Sequence, residues 1–176
     1  MEDQHYLKLF KSVTAVIMDV DGVLTDSSVL VMENGEQLRT MSIRDGYAMQ
    51  LAVKKGLTLV VITGGKSKGV VKRLNSLGIE HVVKNSDDKL SILKHLVKKL
   101  SLDTGTTMYI GDDMPDLESM KMCAITCCPA DAISEVIAFS KYISPFKGGQ
   151  GCVRDILEKT LKLQGKWNET AMTIEE

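Results

Sequence analysis

The sequence predicts an α/β fold: a Rossmann-like, three-layer α/β/α domain with a parallel central sheet. Short apolar, β-branched segments alternate with segments of helical periodicity, which is typical of a parallel sheet covered by helices on both faces. Acidic and hydroxyl residues directly follow several apolar segments, where open α/β sheets bind their ligands. The chain has 176 residues and contains no repeat or linker-like tract. We therefore expect a single domain over residues 1–176.

Five strands and five helices follow from this alternation. The apolar segments predict strands over residues 14–18, 57–62, 81–84, 107–110 and 124–126. The segments of helical period predict helices over residues 46–55, 67–77, 87–100, 115–122 and 153–163. Right-handed crossovers would stack these units into one open sheet.

One segment interrupts the alternation. Residues 28–32 and 37–43 are strand-like and are joined by Glu33-Asn34-Gly35-Glu36. Asn-Gly between extended runs is a strong hairpin signal, because both residues tolerate the positive φ of a type I′ turn. We therefore expect a β-hairpin over about residues 28–43. The tail over residues 168–176 has no convincing apolar period and is expected to be flexible.

Composition excludes several classes of partner. Lys and Arg total 22 against 23 Asp and Glu, giving a formal net charge of −1. Nucleic-acid binding usually requires a basic excess or patch, so neither nucleic acid nor an anionic membrane is expected as a partner. Apolar runs are shorter than a membrane span and the first residues are polar, which predicts a cytoplasmic protein. The four cysteines lack zinc-site spacing and are expected to be reduced and buried.

Chemically active residues follow three of the predicted strands and open one predicted helix. Because the carboxyl ends of parallel strands share one edge of a sheet, these residues are expected to converge. The set comprises Asp19 and Asp21, Thr63 and Gly64, Lys89, and finally Asp112, Asp113 and Asp116.

Carboxylates packed together repel and raise one another's pKa values unless a cation lies among them. Oxygen ligands without His or Cys favour Mg²⁺, which commonly binds substrate phosphate as well. Thr63, Lys89 and backbone amides would hold a phosphoryl group beside the metal. Asp19 could then attack phosphorus to form an aspartyl-phosphate, while Asp21 protonates the leaving alkoxide and later deprotonates water.

These motifs, Asp-x-Asp-Gly-Val-Leu-Thr-Asp, Thr63, Lys89 and Gly-Asp-Asp-x-x-x-Asp, resemble those of the haloacid dehalogenase superfamily. More narrowly, the chain resembles the capless phosphatases that act on 3-deoxy-D-manno-octulosonate 8-phosphate. The resemblance implies that Asp19, Asp112 and the backbone carbonyl of Asp21 bind Mg²⁺, supported by Asp113 and Asp116. It also implies that Thr63 and Lys89 hold the substrate phosphate. From their positions, the Gly64 backbone amide is expected to approach the same phosphate, and Lys66 could reach a substrate carboxylate.

The resemblance further implies a homotetramer in which the hairpins pack together and a neighbouring subunit helps to close each site. The segment Gly148-Gly149-Gln150-Gly151 is similar to a glycine-rich motif of this family, whose flanking tail can approach an adjacent site. The implied reaction releases 3-deoxy-D-manno-octulosonate and phosphate from the 8-phosphate ester.

Two alternatives remain at this stage. Gly65 and Gln150 stand where arginine is frequent in the relatives, so a nine-carbon keto-deoxy-nonulosonate 9-phosphate is an alternative substrate. A receiver-like signalling module also combines acidic residues, Thr, Lys and Mg²⁺. The order of motifs argues against a receiver, because Lys89 precedes the Gly111-Asp112-Asp113 motif.

Overall fold

The computed structural model describes the backbone of residues 3–167 and the side chains of residues 8–167; the predicted flexible tail at 168–176 lies outside them. The strands are β1 (Ala15–Met18), β2 (Leu30–Val31), β3 (Gln37–Leu38), β4 (Thr58–Ile62), β5 (His81–Val83), β6 (Thr107–Ile110), β7 (Ile125–Cys128) and β8 (Tyr142–Ile143). The helices are α1 (Asp3–Ser12), α2 (Ile43–Lys54), α3 (Lys68–Ser76), α4 (Lys89–Lys99), α5 (Met114–Met120), α6 (Ser134–Phe139) and α7 (Cys152–Leu163).

Six strands form one sheet in the order β5-β4-β1-β6-β7-β8, and every neighbouring pair is parallel. β1 lies inside the sheet, between β4 and β6. Because the three strands run in the same direction, their carboxyl ends meet at one edge. The predicted parallel α/β sheet is therefore confirmed.

The central strands are buried on both faces, and their side chains alternate between two apolar cores. Val16 and Met18 of β1 face the core that α1, α2, α3 and α7 cover, whereas Ile17 faces the core under α4, α5 and α6. Burial on both sides explains why these strands are continuous apolar runs rather than alternating ones. The arrangement is the expected three-layer sandwich. Within residues 3–167, no helix has the length and apolar character needed to cross a membrane.

Three elements were not predicted: α1, α6 and β8. β8 has two residues and α6 has six, which is too short for a periodic pattern to emerge from the sequence. β8 adds one strand to the edge of the sheet beside β7. The predicted helix at 46–55 begins earlier, at Ile43, and the predicted strand at 124–126 extends to Cys128.

The hairpin is present but differs from the prediction in two respects. β2 and β3 have two residues each and form a separate antiparallel sheet, so the expected strand at 37–43 is too long. Ser42 caps α2 by accepting a hydrogen bond from the Asp45 amide at 3.2 Å, and Ile43 therefore begins a helix. The predicted type I′ turn is also wrong, because Gly35 has φ of 81° whereas Asn34 does not take a positive φ.

A hydrogen bond from the Gly35 amide to the Met32 carbonyl, 2.8 Å long, closes the hairpin turn. A turn closed in this way, with the following glycine left-handed, matches a three-residue loop with a glycine bulge. Between β1 and α2 the described chain inserts this hairpin and no cap domain, which confirms the capless architecture.

Candidate active site

Three carboxylates from separate parts of the chain meet at the carboxyl edge of the sheet. Asp19 follows β1, Asp112 follows β6, and Asp116 lies in the first turn of α5. Carboxylate oxygens of the three lie within 4.8 Å of one another, and all three residues are buried. The structure therefore brings the predicted site residue Asp19 together with Asp112 and Asp116, which lie far from it in the sequence.

Lys89 places a buried ammonium between two of these carboxylates. It is the first residue of α4, whose amino end is capped by Asp88. Its Nζ lies 2.7 Å from Asp19 Oδ2 and 2.8 Å from Asp116 Oδ1. Burial opposes the charged form, but the two carboxylates outweigh it and raise the pKa of Lys89. The lysine thus balances one of the three negative charges in the cluster.

Asp116 is held by three hydrogen-bond donors. Besides Lys89, the Tyr109 hydroxyl donates to Oδ1 at 2.8 Å and the Asp112 amide donates to Oδ2 at 3.2 Å. A β-carbon at Gly111 would lie 2.6 Å from the Asp116 β-carbon, so glycine permits this close approach. Asp116 is therefore fixed from several directions; its role in supporting a metal stays a prediction.

The electrostatics of the cluster call for a cation. The pKa of Asp19 is raised to about 6, mainly by burial and next by the Asp116 carboxylate. Burial first, then the carboxylates of Asp19, Asp116 and Asp113, raise the pKa of Asp112 to about 8. Asp112 Oδ1 is also buried without a hydrogen-bond partner. An all-oxygen donor set with an unsatisfied carboxylate oxygen fits Mg²⁺, which would relieve both the repulsion and the missing contact.

Glycines allow the loop after β1 to pack closely against Asp112. A β-carbon at Gly22, which has φ of 92°, would collide with Asp112 Oδ2. From the opposite side, a β-carbon at Gly148 would collide with the Gly22 carbonyl oxygen, and the Gly149 amide donates to Val23 at 2.9 Å. The glycine-rich segment before α7 therefore supports the Asp19–Asp21 loop from within the same chain. Its predicted role in closing a neighbour's site stays a prediction.

Thr63 and Gly64 directly follow β4, the strand that pairs with β1. The Thr63 side chain is buried, and its hydroxyl accepts a hydrogen bond from the Gly65 amide at 3.0 Å. Gly64 and Lys66 are exposed and line a cavity of about 710 Å³ between the β4–α3 loop and the hairpin. Lys66 thus lies along this cavity and outside the carboxylate cluster.

Asp21 faces the hairpin instead of the other carboxylates. Arg39 Nε donates to Asp21 Oδ1 at 2.6 Å, and Arg39 Nη2 donates to Oδ2 at 3.0 Å. Asp113 also lies outside the group of mutually close carboxylates: it is exposed and caps α5 through its bond from the Met114 amide at 2.7 Å. Its charge nevertheless contributes to the raised pKa of Asp112.

Two site residues were missed by the sequence analysis, Arg39 and Tyr109. A tyrosine in a fully buried strand needs a partner for its hydroxyl, so the Tyr109 position could have suggested a nearby acceptor. Arg39 gave no comparable signal, because its contact with Asp21 depends on how the hairpin folds back over the loop after β1.

The sequence and fold match known proteins of one class. A model of haloacid dehalogenase-like hydrolases matches residues 78–156. The chain is 33% identical over 165 residues to 3-deoxy-D-manno-octulosonate 8-phosphate phosphatase KdsC of Salmonella typhimurium, covering 94% of this chain and 88% of that protein. It is 34% identical over 159 residues to the KdsC protein of Escherichia coli K12, covering 90% and 85%.

Solved structures agree. The structure of a putative 3-deoxy-D-manno-octulosonate 8-phosphate phosphatase from Vibrio cholerae superposes with a TM-score of 0.89 at 32% identity, covering 92% of this chain and 90% of that chain. The structure of the Moraxella catarrhalis phosphatase in complex with magnesium, phosphate and 3-deoxy-D-manno-octulosonate (KDO) superposes with a TM-score of 0.87 at 34% identity. The match covers 90% of this chain and 91% of that chain. Fold and site thus define a haloacid dehalogenase-like hydrolase. Within that class, the chain belongs to the 3-deoxy-D-manno-octulosonate 8-phosphate phosphatase family.

Proposed function

We propose that this protein is a Mg²⁺-dependent phosphatase that converts 3-deoxy-D-manno-octulosonate 8-phosphate (KDO 8-phosphate) to KDO and inorganic phosphate. The observation that carries the proposal is the cluster of Asp19, Asp112, Asp116 and Lys89 at the carboxyl edge of the sheet, in a chain that matches these phosphatases over nearly its full length. The comparison favours this enzyme class over the receiver-like alternative.

Substrate phosphate would bind between Lys89, the Thr63 hydroxyl and the backbone amides of the loop that contains Gly64. Of these groups, Lys89 is already paired with the Asp19 carboxylate at 2.7 Å. Asp19, Asp112 and the backbone carbonyl of Asp21 would hold Mg²⁺, which when bound neutralises charge on the phosphoryl oxygens. Lys89, together with Mg²⁺ when it is bound, would thus supply the positive charge that phosphoryl transfer requires.

Asp19 is the proposed nucleophile. Its Oδ1 accepts a hydrogen bond from the Val20 amide at 2.6 Å and its Oδ2 faces Lys89, so the carboxylate is fixed in one orientation. Attack on phosphorus forms the bond from Asp19 to phosphorus and breaks the bond from phosphorus to the sugar oxygen. Asp21 gives its proton to that oxygen, and the sugar acid leaves.

The second half of the reaction returns the enzyme to its starting state. Asp21, now deprotonated, takes a proton from a water molecule that attacks the aspartyl-phosphate. The bond from phosphorus to Asp19 breaks and inorganic phosphate is released. Two carboxylates two residues apart thus have separate roles, nucleophile and acid/base.

We also propose that the protein is a cytoplasmic homotetramer whose hairpins pack together. The hairpin carries an exposed apolar surface that a monomer would leave in water, with Leu30 65% exposed and Val31 61% exposed. Sedimentation-velocity analysis of the wild-type protein and Leu30→Lys tests this assembly. A tetramer that Leu30→Lys dissociates supports it, and a wild-type monomer at micromolar concentration contradicts it.

The activity is tested with purified protein and a panel of keto-deoxy sugar phosphates, first with Mg²⁺ and then with a chelator. We expect Mg²⁺-dependent phosphate release from KDO 8-phosphate with a higher kcat/KM than from the nonulosonate 9-phosphate. A reversed preference would move the assignment to the nine-carbon substrate. Absence of Mg²⁺-dependent release from every member of the panel would refute the phosphatase proposal.

A further inference from the structure

Arg39 forms a bidentate ion pair with Asp21, the proposed acid/base residue. Its Nε and Nη2 donate to the two oxygens of Asp21 at 2.6 and 3.0 Å, and its Nη1 donates to the Gln37 carbonyl at 3.3 Å. The Arg39 side chain is 8% exposed, whereas that of Asp21 is 38% exposed. The arginine is therefore packed in place, and the carboxylate remains open to the site.

This pairing uses both oxygens of Asp21 as acceptors. To act as the acid, an Asp21 oxygen must be directed towards the leaving oxygen, whereas in this structure both Asp21 oxygens are directed towards the Arg39 guanidinium. The ion pair therefore competes with the contact that Asp21 has to make during turnover. The arrangement in the structure corresponds to a resting state that a competing acceptor must open.

The space next to Arg39 can receive such an acceptor. The cavity of about 710 Å³ is lined on one side by residues 35–39 and on the other by residues 64–69. A β-carbon built at Gly65 would lie 3.6 Å from both Arg39 Nη2 and Asp21 Oδ2, and 3.2 Å from the Thr63 hydroxyl. Gly65 thus places backbone without a side chain beside the guanidinium, and both residues line the cavity next to the Asp21–Thr63 end of the site.

The charges along this cavity favour an anion. Lys66 and Lys68 line it together with Arg39, against one acidic residue, Glu36. The proposed substrate carries a carboxylate in addition to its phosphate, and the phosphate is already matched by Thr63 and Lys89. A guanidinium binds a carboxylate by the same forked geometry that Arg39 now makes with Asp21. The substrate carboxylate is therefore the acceptor of the right chemistry.

We propose that Arg39 is a specificity-determining residue that exchanges the Asp21 carboxylate for the carboxylate of the substrate, and so frees Asp21 when a sugar acid is bound. The inference rests on the proposed function. It means that binding at the remote end of the substrate is coupled to the release of the acid/base group. Phosphate esters that lack a carboxylate would leave the pair closed and react slowly.

The test compares wild-type protein with Arg39→Gln on two substrates, KDO 8-phosphate and D-glucose 6-phosphate, which has no carboxylate. For the sugar-acid ester we expect kcat/KM to fall by about tenfold or more, mainly through a higher KM, because a charged partner is lost. For glucose 6-phosphate we expect kcat to stay the same or rise, since Asp21 is no longer held. The kcat/KM for KDO 8-phosphate divided by that for glucose 6-phosphate should therefore fall by about tenfold or more.

Two further variants serve as controls. Arg39→Lys keeps the positive charge but cannot make the bidentate contact. Its ratio of kcat/KM values should lie between those of wild type and Arg39→Gln. Lys121→Gln removes one positive charge from an exposed pair with Glu118 and should leave the ratio unchanged. Free KDO, used as an inhibitor, provides a readout of sugar-acid binding without the phosphate. Its inhibition constant should rise by about tenfold in Arg39→Gln.

A merely structural role gives a different pattern. If Arg39→Gln lowered kcat for both substrates equally and left the inhibition by free KDO unchanged, Arg39 would only orient Asp21 and the proposal would be wrong. If Arg39→Gln failed to fold, as judged by circular dichroism, Arg39→Lys would decide by the same ratio. Failure of the proposed function is seen separately, as an inactive wild-type enzyme on every keto-deoxy sugar phosphate.

Discussion

The two sides of the site are built differently. The Asp19–Lys89–Asp116 side is made of strand ends and helix starts, is buried, and is cross-linked by hydrogen bonds at 2.7–2.8 Å. The Asp21–Arg39 side joins a loop to a hairpin whose strands have two residues each. In the proposed mechanism, the buried side performs the phosphoryl chemistry and the hairpin side selects the leaving group. Substitutions on the buried side should therefore lower turnover of every phosphate ester, whereas substitutions on the hairpin side should have effects that depend on the leaving group.

The largest effect is expected from Asp19→Asn, which removes the proposed nucleophile from the buried side. The amide is almost the same size and can still meet the Val20 amide, so the fold should be retained. Turnover should fall by about 10⁴-fold or more, as when other catalytic nucleophiles are removed. Steady-state kinetics with circular dichroism measures both properties. Activity close to wild type would remove Asp19 from its role.

Asp21→Asn should lower kcat for the sugar phosphate by roughly 10²–10⁴-fold, the usual contribution of one acid/base group. A good leaving group needs little protonation, so formation of the aspartyl-phosphate from p-nitrophenyl phosphate should be affected much less. The measurement is the burst of nitrophenol in rapid-mixing experiments. An equal loss of rate for both substrates in this first step would assign the acid role to another residue.

Removal of Mg²⁺ should destabilise the protein increasingly as pH rises. A free aspartate has a pKa of 3.8, whereas burial and neighbouring carboxylates raise the pKa of folded Asp112 to about 8. Between these two pKa values, Asp112 is ionised in the unfolded chain but still protonated in the folded one. Without metal, the stability that protonated Asp112 contributes is therefore lost as pH rises through the folded pKa. Mg²⁺ favours the ionised form, and its binding should therefore stabilise more at higher pH.

Thermal unfolding with Mg²⁺ and with chelator, at several values between about pH 5 and pH 8, measures this difference. The increase in Tm caused by Mg²⁺ should grow with pH in wild type and be much weaker in Asp112→Asn. A Mg²⁺ effect independent of pH, or one that shrinks as pH rises, would contradict the assignment of Asp112 as a ligand.

The smallest effect is expected from Tyr109→Phe, which removes one buried hydrogen bond to Asp116. Its loss should lower the free energy of unfolding by about 1–3 kcal/mol and raise the Mg²⁺ concentration needed for half-maximal activity. Tyr142→Phe is a matched control, since the Tyr142 hydroxyl donates to Asp155 at 2.6 Å outside the site. It should affect stability alone. If both variants behaved alike, Tyr109 would have no role beyond stability.

The parallel sheet and the buried side of the site could be predicted because both depend on a regular pattern. Apolar strands such as Thr58–Ile62 end at the same edge, so Asp19, Thr63 and Asp112 were expected to converge there. β8 and α6 lacked this advantage, because two or six residues do not establish a period. The hairpin was recognised from Asn34-Gly35, but its second strand is limited by the cap at Ser42, and its turn type by the backbone at Gly35.

The hairpin side of the site could not be predicted in the same way. The Asp21–Arg39 pair joins residues 18 positions apart through a chain reversal, and no periodicity relates them. For Gly65 and Gly148, the sequence shows that a side chain is absent. It does not show which neighbouring groups approach the backbone there. The structure shows Arg39 beside Gly65 and the Gly22 carbonyl against Gly148. Such contacts arise from tertiary packing alone.

The most direct test of the account is whether phosphorus becomes bonded to Asp19 during turnover. Wild-type protein mixed with substrate and Mg²⁺ and quenched in acid within milliseconds should carry one phosphoryl group on the peptide that contains Asp19, as identified by mass spectrometry. The modification should be absent with chelator and in Asp19→Asn. A phosphoryl group on a different residue, or phosphate release at full rate with Asp19 never modified, would contradict the mechanism.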